Sequence, residues 1–185
     1  ILRSEITPIL NQTNDLFTRE LNKKICERAP KLSDTITHAN SAIAADAAGF
    51  VVLVSELFLK NKMCKAVEIL GSGTSGVIPE EAPLAPVGAI KALLDHTEIS
   101  LSNVAFIELM EAYAAQAIIC TRLCDLDLDK VNIRGGALSR GHPIGASGAI
   151  LVVRLFNELI KTPGASGMAA IAAAGGIGSA MMLKS

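Results

Sequence analysis

Aromatic residues are scarce in this 185-residue chain, and their scarcity constrains its core. The sequence has no Trp, one Tyr and five Phe, whereas 50% of its residues are hydrophobic. The core must therefore be filled by Ala, Val, Ile and Leu, and the elements must pack closely, with glycines where their backbones touch. A chain this apolar buries enough surface to offset its conformational entropy, which excludes a disordered protein. The composition is typical of a single α/β domain that carries an appendage.

An excess of charge is also missing, because 17 Lys and Arg face 18 Asp and Glu. A general nucleic-acid binder neutralises phosphates with clustered basic residues, so we expect no nucleic-acid partner, although a local phosphate pocket is not excluded. Uninterrupted apolar runs of ~18 residues are absent too, and we predict no membrane span. The first residues, ILRSEITPIL, lack Met, a basic start and an apolar signal core, which predicts a fragment of a longer protein.

Cysteine is too sparse for a secreted disulfide scaffold, since the chain has only Cys26, Cys64, Cys120 and Cys124. We therefore expect a reducing compartment and predict a cytoplasmic location. Cys120 and Cys124 lie four apart in an apolar helical stretch, on one helix face. A metal site would need two further ligands nearby, so we predict buried packing for this pair and no metal.

A change in composition near Thr35 separates a polar beginning, with a short helix ended by Pro30, from an apolar remainder. The pattern of the remainder predicts the order β-α-β-α-β-α-β-β, which favours a mostly parallel sheet with an antiparallel last strand. The predicted strands are 50–54, 63–73, 104–109, 167–176 and 177–184. One helix is predicted to begin at Ser55, with Glu56 in its first turn, and three more are predicted at 83–95, 111–124 and 149–160. The residues 126–148 are predicted to form a loop.

The string GHPIGASG, residues 141–148, directly precedes a predicted long helix. Glycines allow the backbone to approach a ligand, and a helix N-terminus offers unpaired N–H groups to an oxyanion or a phosphate. His142 is placed to act as a general base or as an oxyanion donor. A tight glycine turn with an incidental histidine explains the local pattern equally well.

Two further segments have both a chemical and a purely structural interpretation. Glu108 and Glu111 lie where a predicted strand meets a helix, and they could form a carboxylate pair, but acidic residues in a first helical turn are also favourable for the helix dipole. The small residues of 172–178 either let a ligand approach the backbone or only pack a sheet against a helix, and none of them ionises.

Together the three segments resemble the thiolases, the acyl-CoA acyltransferases that make or cleave 3-ketoacyl-CoA. The C-terminal half of that family carries, in order, segments like TAGNASGxNDGAA followed by VVLMSE, then GPxPA, NEAFAAQ, NxxGGAxALGHPxGASG and CxGGGxG. The counterparts here are THANSAIAADAAG with VVLVSE, APVGA, MEAYAAQ, residues 132–148 and residues 172–178. The resemblance covers this whole chain but only about half of a thiolase.

The resemblance implies a fold and partners. It implies an α/β, thiolase-like C-terminal domain with a five-stranded mixed sheet flanked by helices, spanning 37–185, with 1–36 as the tail of the family's loop domain and a linker. In the family this domain packs against a similar N-terminal half, and such pairs build dimers or tetramers. We therefore expect an N-terminal thiolase half and a homo-oligomer as partners, and no membrane partner.

The resemblance also implies catalytic roles, and the chain departs from two of them. His142 stands where the family's histidine activates a nucleophilic cysteine that belongs to the absent N-terminal half. Ala172 replaces the proton-transferring cysteine of CxGGG, and Met110 replaces the asparagine that holds a water at an oxyanion hole. An alanine carries no proton and a thioether cannot hold a water as an amide does, so we expect the isolated chain to be inactive. The backbone N–H of Ala174 would still serve the second oxyanion hole.

Substrate contacts are implied in the same way, with a coenzyme A thioester as the substrate and no permanently bound cofactor. The implied substrate-binding residues are Ala42, Ala82, Tyr113, Gly141, Pro143 and Gly145. Ala42 replaces a pantetheine-contacting serine, and Ala82 replaces a methionine, which weakens the expectation of coenzyme A binding. Two hypotheses follow: the C-terminal domain of an acetyl-CoA acetyltransferase-like thiolase, or a catalytically degenerate domain that binds acyl-CoA or supports oligomerisation.

Overall fold

A mixed β-sheet forms the centre of the computed structural model, which describes residues 5–15 and 17–185. The sequence-based prediction for 1–36 lies partly outside these described residues. The helices are α1 (Lys23–Arg28), α2 (Glu56–Leu59), α3 (Ala85–Thr97), α4 (Ala114–Leu123), α5 (Ala137–Arg140) and α6 (Ser147–Leu159). The strands are β1 (Glu68–Gly76), β2 (Val104–Leu109), β3 (Ser166–Ala173) and β4 (Ile177–Lys184). Short 3₁₀ helices lie at Pro79–Leu84, Leu101–Asn103 and Leu128–Lys130.

The strands lie in the order β1-β4-β3-β2. β2 pairs with β3 in parallel, whereas β4 is antiparallel to both β3 and β1. The α/β class and the mostly parallel sheet with an antiparallel last strand are confirmed, because β1, β2 and β3 run in one direction and only β4 runs in the other. The sheet has four strands rather than five. Only one parallel bridge, between Ile107 and Val131, extends the sheet beyond β2 among the described residues.

The predicted first strand, FVVLV at 50–54, is the missing one. Its residues have no regular secondary structure and join no sheet in the described structure, and Phe50 and Val52 keep 87% and 85% of their surface exposed. Branched apolar residues favour a strand, but a strand also needs a neighbour to complete its hydrogen-bond ladder. The pattern could not show whether this neighbour is present.

Helix boundaries follow the local signals closely. Ser55 caps α2 by accepting a hydrogen bond from the Phe58 amide, and Glu56 occupies the first turn. α1 ends at Arg28, with Ala29 extended before Pro30, because a residue preceding proline avoids the helical region. The predicted loop 126–148 contains the 3₁₀ helix Leu128–Lys130 and the short helix α5, and the sequence pattern predicted neither of them.

Each face of the sheet is covered by one long helix. α3 packs on one face, around Ile90 and Leu93, and α6 packs on the other, around Leu151 and Leu155. A Cβ on Gly73 would overlap the backbone of α3 at Ala89 and Leu93, so helix and sheet touch backbone to backbone there. The expectation of close, glycine-dependent packing is confirmed.

Cys120 and Cys124 are 0% and 7% exposed, as predicted for buried packing. Their thiols point to the carbonyl oxygens of Pro83 and Val87. Burial raises the pKa of both thiols, that of Cys124 to about 11, so these cysteines stay protonated near neutral pH.

No helix within 5–15 and 17–185 is long and apolar enough to cross a membrane.

Candidate functional site

Asn132 anchors the long loop to the carboxyl end of β2. It adopts a positive φ of 48°, and its side chain binds both backbone groups of Leu109, accepting from N at 2.9 Å and donating to O at 2.8 Å. The same amide donates to Glu111 Oε1 at 2.6 Å, while Glu111 Oε2 accepts the Leu138 amide at 3.3 Å. Glu111 thus joins the loop to the strand. It precedes α4, whose first turn holds no acidic residue, so the helix-dipole interpretation of Glu111 is wrong.

α5 ends at a turn that requires glycine. Gly141 has a φ of 90°, and a Cβ there would lie 2.8 Å from the Ala45 Cβ. The next amide, that of His142, donates to Ile43 O at 2.7 Å, and His142 forms a parallel bridge with Ala44. The turn therefore brings the histidine against the segment 43–45.

The His142 ring is held by Ser147 in the first turn of α6. Nδ1 lies 2.8 Å from Ser147 Oγ, which in turn donates to Pro143 O at 3.0 Å. Ser147 is fully buried, whereas His142 is partly exposed. Burial, and secondarily the charge of Arg140, lowers the pKa of His142, so the imidazole is neutral at pH 7.

His142 opens onto a cavity of about 590 Å³ between the segment 44–50 and the start of α6. His142 and Asp46 are the ionisable residues in a wall made otherwise of small and apolar side chains. The predicted residues Pro143 and Gly145 also line this cavity, and Gly141 adjoins it. The complete lining is Ala44, Ala45, Asp46, Ala47, Ala48, Gly49, Phe50, His142, Pro143, Ile144, Gly145, Ala146 and Ala149.

The two departures from the thiolase pattern lie at one edge of the sheet. β2 and β3 run parallel, and the Met110 amide donates to Ala170 O at 2.9 Å, so Met110 directly follows the carboxyl end of β2 and Ala172 lies at the carboxyl end of β3. Met110 is 3% exposed and packs into the core beneath α6, outside the cavity wall. Ala172 pairs with Gly178, and Ala174 lies exposed in the turn that follows. No ionisable side chain stands at either position.

The remaining predicted substrate residues lie apart from the cavity wall. Tyr113 is 42% exposed at the N-cap of α4, and the Ala42 amide donates to Ala112 O beside it. Ala82 lies in the 3₁₀ helix that precedes α3, which packs against β3 and β4. The structure thus groups His142, Pro143 and Gly145 in one cavity wall. It leaves Ala42, Ala82 and Tyr113 outside that wall.

A second cavity, of about 390 Å³, is basic. Its wall includes Arg19, Lys24, Arg28 and His38, together with Ile25, Ala29, Pro30 and Ala39. Arg19 ties it to α5, because its guanidinium donates to Leu138 O and His38 O and its amide donates to Ser139 O. One short helix therefore separates the basic cavity from the turn that carries His142.

Beneath the loop lies a buried ionic cluster centred on Arg154, which sequence reasoning missed. Its guanidinium donates to Glu108 at 3.0 Å, to Glu5 at 2.9 Å and to Gly135 O at 2.7 Å. Burial raises the pKa of Glu108 to about 7, although Arg154 opposes the rise. The partners of Glu108 differ from those of Glu111, so the two acids do not form the shared pair considered from the sequence.

Arg140 and Ser147 were also missed, and both flank His142. Nε and Nη2 of Arg140 are buried without a hydrogen-bond partner among the described residues, and burial lowers the pKa of this guanidinium. A charged residue two positions before the histidine was the available signal for Arg140. For Ser147, the signal was a hydroxyl five positions after the histidine, at the start of the predicted helix, from which it can reach the imidazole ring.

The chain is similar to several acyl-CoA enzymes. Residues 63–185 match the family model described as thiolase, C-terminal domain. Acetyl-CoA acetyltransferase of Saccharomyces cerevisiae is 37% identical over 156 residues, which is 83% of this chain and 39% of the yeast protein. The mitochondrial 3-ketoacyl-CoA thiolase of Homo sapiens is 34% identical over 156 residues, which is 84% of this chain and 39% of the human protein.

Solved structures agree with these matches. The crystal structure of human mitochondrial 3-ketoacyl-CoA thiolase in complex with CoA superposes with a TM-score of 0.82 at 29% identity, over 92% of this chain and 45% of that one. The chain spans about two fifths of the length of the curated relatives it matches. Sequence, topology and superposition agree, and the chain belongs to the thiolase family, whose C-terminal domain it contains.

Proposed function

We propose that this chain is the C-terminal part of an acetyl-CoA acetyltransferase-like thiolase that binds acyl-CoA beside His142. The observation that carries the proposal is the cavity of about 590 Å³ in which a neutral, partly exposed imidazole faces small apolar walls. Such a cavity suits a thioester and its apolar chain, and a neutral imidazole suits proton transfer near neutral pH. Claisen condensation and its reverse, thiolysis of 3-ketoacyl-CoA, both need such a base.

The basic cavity supports coenzyme A as the carrier of the acyl group. Arg19, Lys24, Arg28 and His38 surround a cavity that adjoins α5, and none of the described residues that line it is acidic. Coenzyme A has an anionic nucleotide end joined to its thiol by a long flexible arm. A cationic cavity next to an apolar one matches that division of charge, since phosphates bind where Lys and Arg converge.

Binding can be tested on the chain directly by isothermal titration calorimetry with coenzyme A, dephospho-coenzyme A and pantetheine. We expect affinity to fall at each loss of phosphate, and Arg28→Gln to weaken coenzyme A binding several-fold without changing pantetheine binding. Lys161→Gln, at an exposed position just after α6, is the matched control. Equal affinity for all three ligands would contradict a phosphate site in the basic cavity, and no binding of any would contradict the acyl-CoA assignment.

Catalysis requires more than this chain contains. The thiolase resemblance gives the nucleophilic cysteine to an N-terminal half, so we expect no turnover by residues 1–185 alone. In a polypeptide that includes that half, acetyl-CoA should acylate the nucleophile, because His142 is retained. Mass spectrometry of the intact protein after acetyl-CoA treatment tests this, and absence of an acetyl adduct would count against the enzymatic proposal.

The second candidate is a degenerate thiolase domain that binds acyl-CoA or supports oligomerisation without turnover. The core position of Met110 and the aliphatic side chain of Ala172 favour it, since neither replaces the lost amide or thiol. Restoring both groups, with Met110→Asn and Ala172→Cys in the longer protein, should raise acetyl transfer by at least ~10²-fold if only these two groups are missing. Continued inactivity despite acylation would mean that further parts of the site are lost.

The proposal extends to architecture. Residues 37–185 form the domain, 1–36 belong to the neighbouring loop domain, and the protein assembles as a cytoplasmic homo-oligomer through an N-terminal half. The exposed segment 50–54 supports the need for a partner surface, because Phe50, Val52 and Leu53 would otherwise face water. Fractionation and sedimentation velocity of the longer protein test the location and the assembly.

A further inference from the structure

Two short contacts determine where the protons lie around the His142 ring. Nδ1 of His142 lies 2.8 Å from Ser147 Oγ, and the same oxygen lies 3.0 Å from Pro143 O. The Pro143 carbonyl also accepts the amides of Ala146 and Ser147, both at 2.9 Å, so its position is fixed by the backbone of the turn. Two potential acceptors, Nδ1 of His142 and the Pro143 carbonyl oxygen, therefore meet at one buried hydroxyl that has a single proton to donate.

A carbonyl oxygen only accepts, so the approach of Ser147 Oγ to Pro143 O is favourable only with the hydroxyl proton between them. The hydroxyl then has lone pairs left for the ring, and the contact at 2.8 Å requires a proton on Nδ1. Placing the proton on Oγ toward Nδ1 instead would leave two oxygens facing each other without a hydrogen. One arrangement satisfies both contacts, in which Nδ1–H donates to Oγ and Oγ–H donates to Pro143 O.

The ring has only one proton to place when it is neutral. Burial and the neighbouring Arg140 keep His142 neutral at pH 7, so a proton on Nδ1 leaves a lone pair on Nε2. Nε2 makes no hydrogen bond among the described residues, and His142 lines the cavity of about 590 Å³. The free lone pair is therefore available to a ligand in that cavity.

We propose that Ser147 is a positioning residue that fixes His142 as its Nδ1–H tautomer and reserves Nε2 as the proton acceptor of the site. This role deepens the proposed function and rests on it only for the identity of the ligand. When Nε2 takes a proton from a thiol or a carbon acid, the ring becomes an imidazolium with both nitrogens protonated. The Nδ1–H bond to Ser147 Oγ persists through that step, so the ring does not need to rotate. A base that is already held in one orientation and one tautomer does not need to rotate or change its tautomer before it accepts a proton.

The tautomer can be measured without turnover or ligand, by long-range ¹H–¹⁵N correlation spectra of the ¹⁵N-labelled 185-residue chain at mildly alkaline pH. Of its three histidines, His142 is assigned by the signals that vanish in His142→Gln. We expect Nδ1 in the protonated and Nε2 in the unprotonated ¹⁵N range. The opposite assignment in the unmodified chain would overturn the proposal, whatever the variants do.

Variants then attribute the tautomer to the hydroxyl. Ser147→Ala should shift the majority of the ring to the Nε2–H form, whereas Ser147→Thr, which restores a hydroxyl, should return it to Nδ1–H. Ser139→Ala, in the same loop, is the matched control and should change nothing. Backbone amide spectra verify that each variant folds. A folded Ser147→Ala that keeps the Nδ1–H tautomer would contradict the role of Ser147, and neither outcome depends on whether coenzyme A binds.

Discussion

Glu108 is buried, and its negative charge is therefore unfavourable in the folded state. It is 3% exposed, and burial raises its pKa from 4.5 to about 7 even though Arg154 lies 3.0 Å away. The folded state therefore retains a proton at pH values where the unfolded chain has released it. The contribution of Glu108 to stability is fully present below its unfolded pKa and is lost as the pH rises from about 4.5 to 7, by ~3 kcal/mol in total.

Urea unfolding at a series of pH values should reveal this loss. Glu108→Gln keeps an acceptor for Arg154 but has no charge to lose, so the decline across the window should shrink by ~3 kcal/mol. Glu80→Gln, at an exposed position before α3, serves as the control and should retain the full decline. If the two variants have equal pH dependence, the Glu108 carboxyl is ionised throughout, and the ion pair with Arg154 outweighs burial.

Asn132 anchors the loop 126–148 to β2. Its side chain satisfies both backbone groups of Leu109 and one oxygen of Glu111 while its backbone holds a positive φ. Asn132→Ala removes this partner from the two buried backbone groups of Leu109 and from one partly buried oxygen of Glu111, and it should lower the free energy of unfolding by ~3 kcal/mol. Chemical denaturation measures the change, and Asn61→Ala, at an exposed turn, should cost less than ~0.5 kcal/mol. Comparable losses in both variants would contradict this anchoring role.

At the scale of elements, contact between α3 and the sheet limits the side chain at position 73. A Cβ there would lie 2.6 Å from the Leu93 backbone nitrogen, and a helix backbone cannot move aside as a side chain can. Gly73→Ala should therefore destabilise the protein by several kcal/mol in thermal or urea unfolding. Gly148→Ala provides the comparison, because its Cβ would meet open space inside α6, and it should stabilise by up to ~1 kcal/mol. Tolerance of alanine at position 73 would mean that α3 sits farther from the sheet.

Elements with strong local signals were predictable, and those that depend on partners were not. The limits of β2 and the cap of α2 follow from apolar runs, proline and serine, whose effects act within a few residues. The directions of the strands were predicted correctly, but the number of strands was not, because pairing of residues 50–54 depends on contacts with distant residues. His142 could be selected because glycines and a helix start mark its turn. Arg154 could not, since a lone arginine on an apolar helix becomes meaningful only when Glu108 and Glu5 are seen beside it.

At the scale of the whole molecule, the chain leaves apolar surface that its own fold does not cover. Phe50, Val52 and Leu53 lie close together in one segment and expose 87%, 85% and 72% of their surface. Isolated exposed apolar residues are ordinary, but a contiguous group indicates an interface. The curated relatives are more than twice as long as the matched region, and the N-terminal half proposed above is the partner that we propose for this segment.

Without that cover, we expect the 185-residue chain to self-associate through the segment 50–54. Sedimentation velocity over a range of concentrations should show the weight-average mass rising above the 19.3 kDa of one chain. The double variant Val52→Ser, Leu53→Ser removes apolar surface without disturbing any sheet hydrogen bond, and it should shift association to at least ~10-fold higher concentration, since ~1.4 kcal/mol is tenfold in an equilibrium constant. Leu128→Ser, which removes an equally exposed leucine elsewhere, is the control and should leave association unchanged. A monomer at high concentration, or equal effects of the two variants, would contradict an interface at this segment.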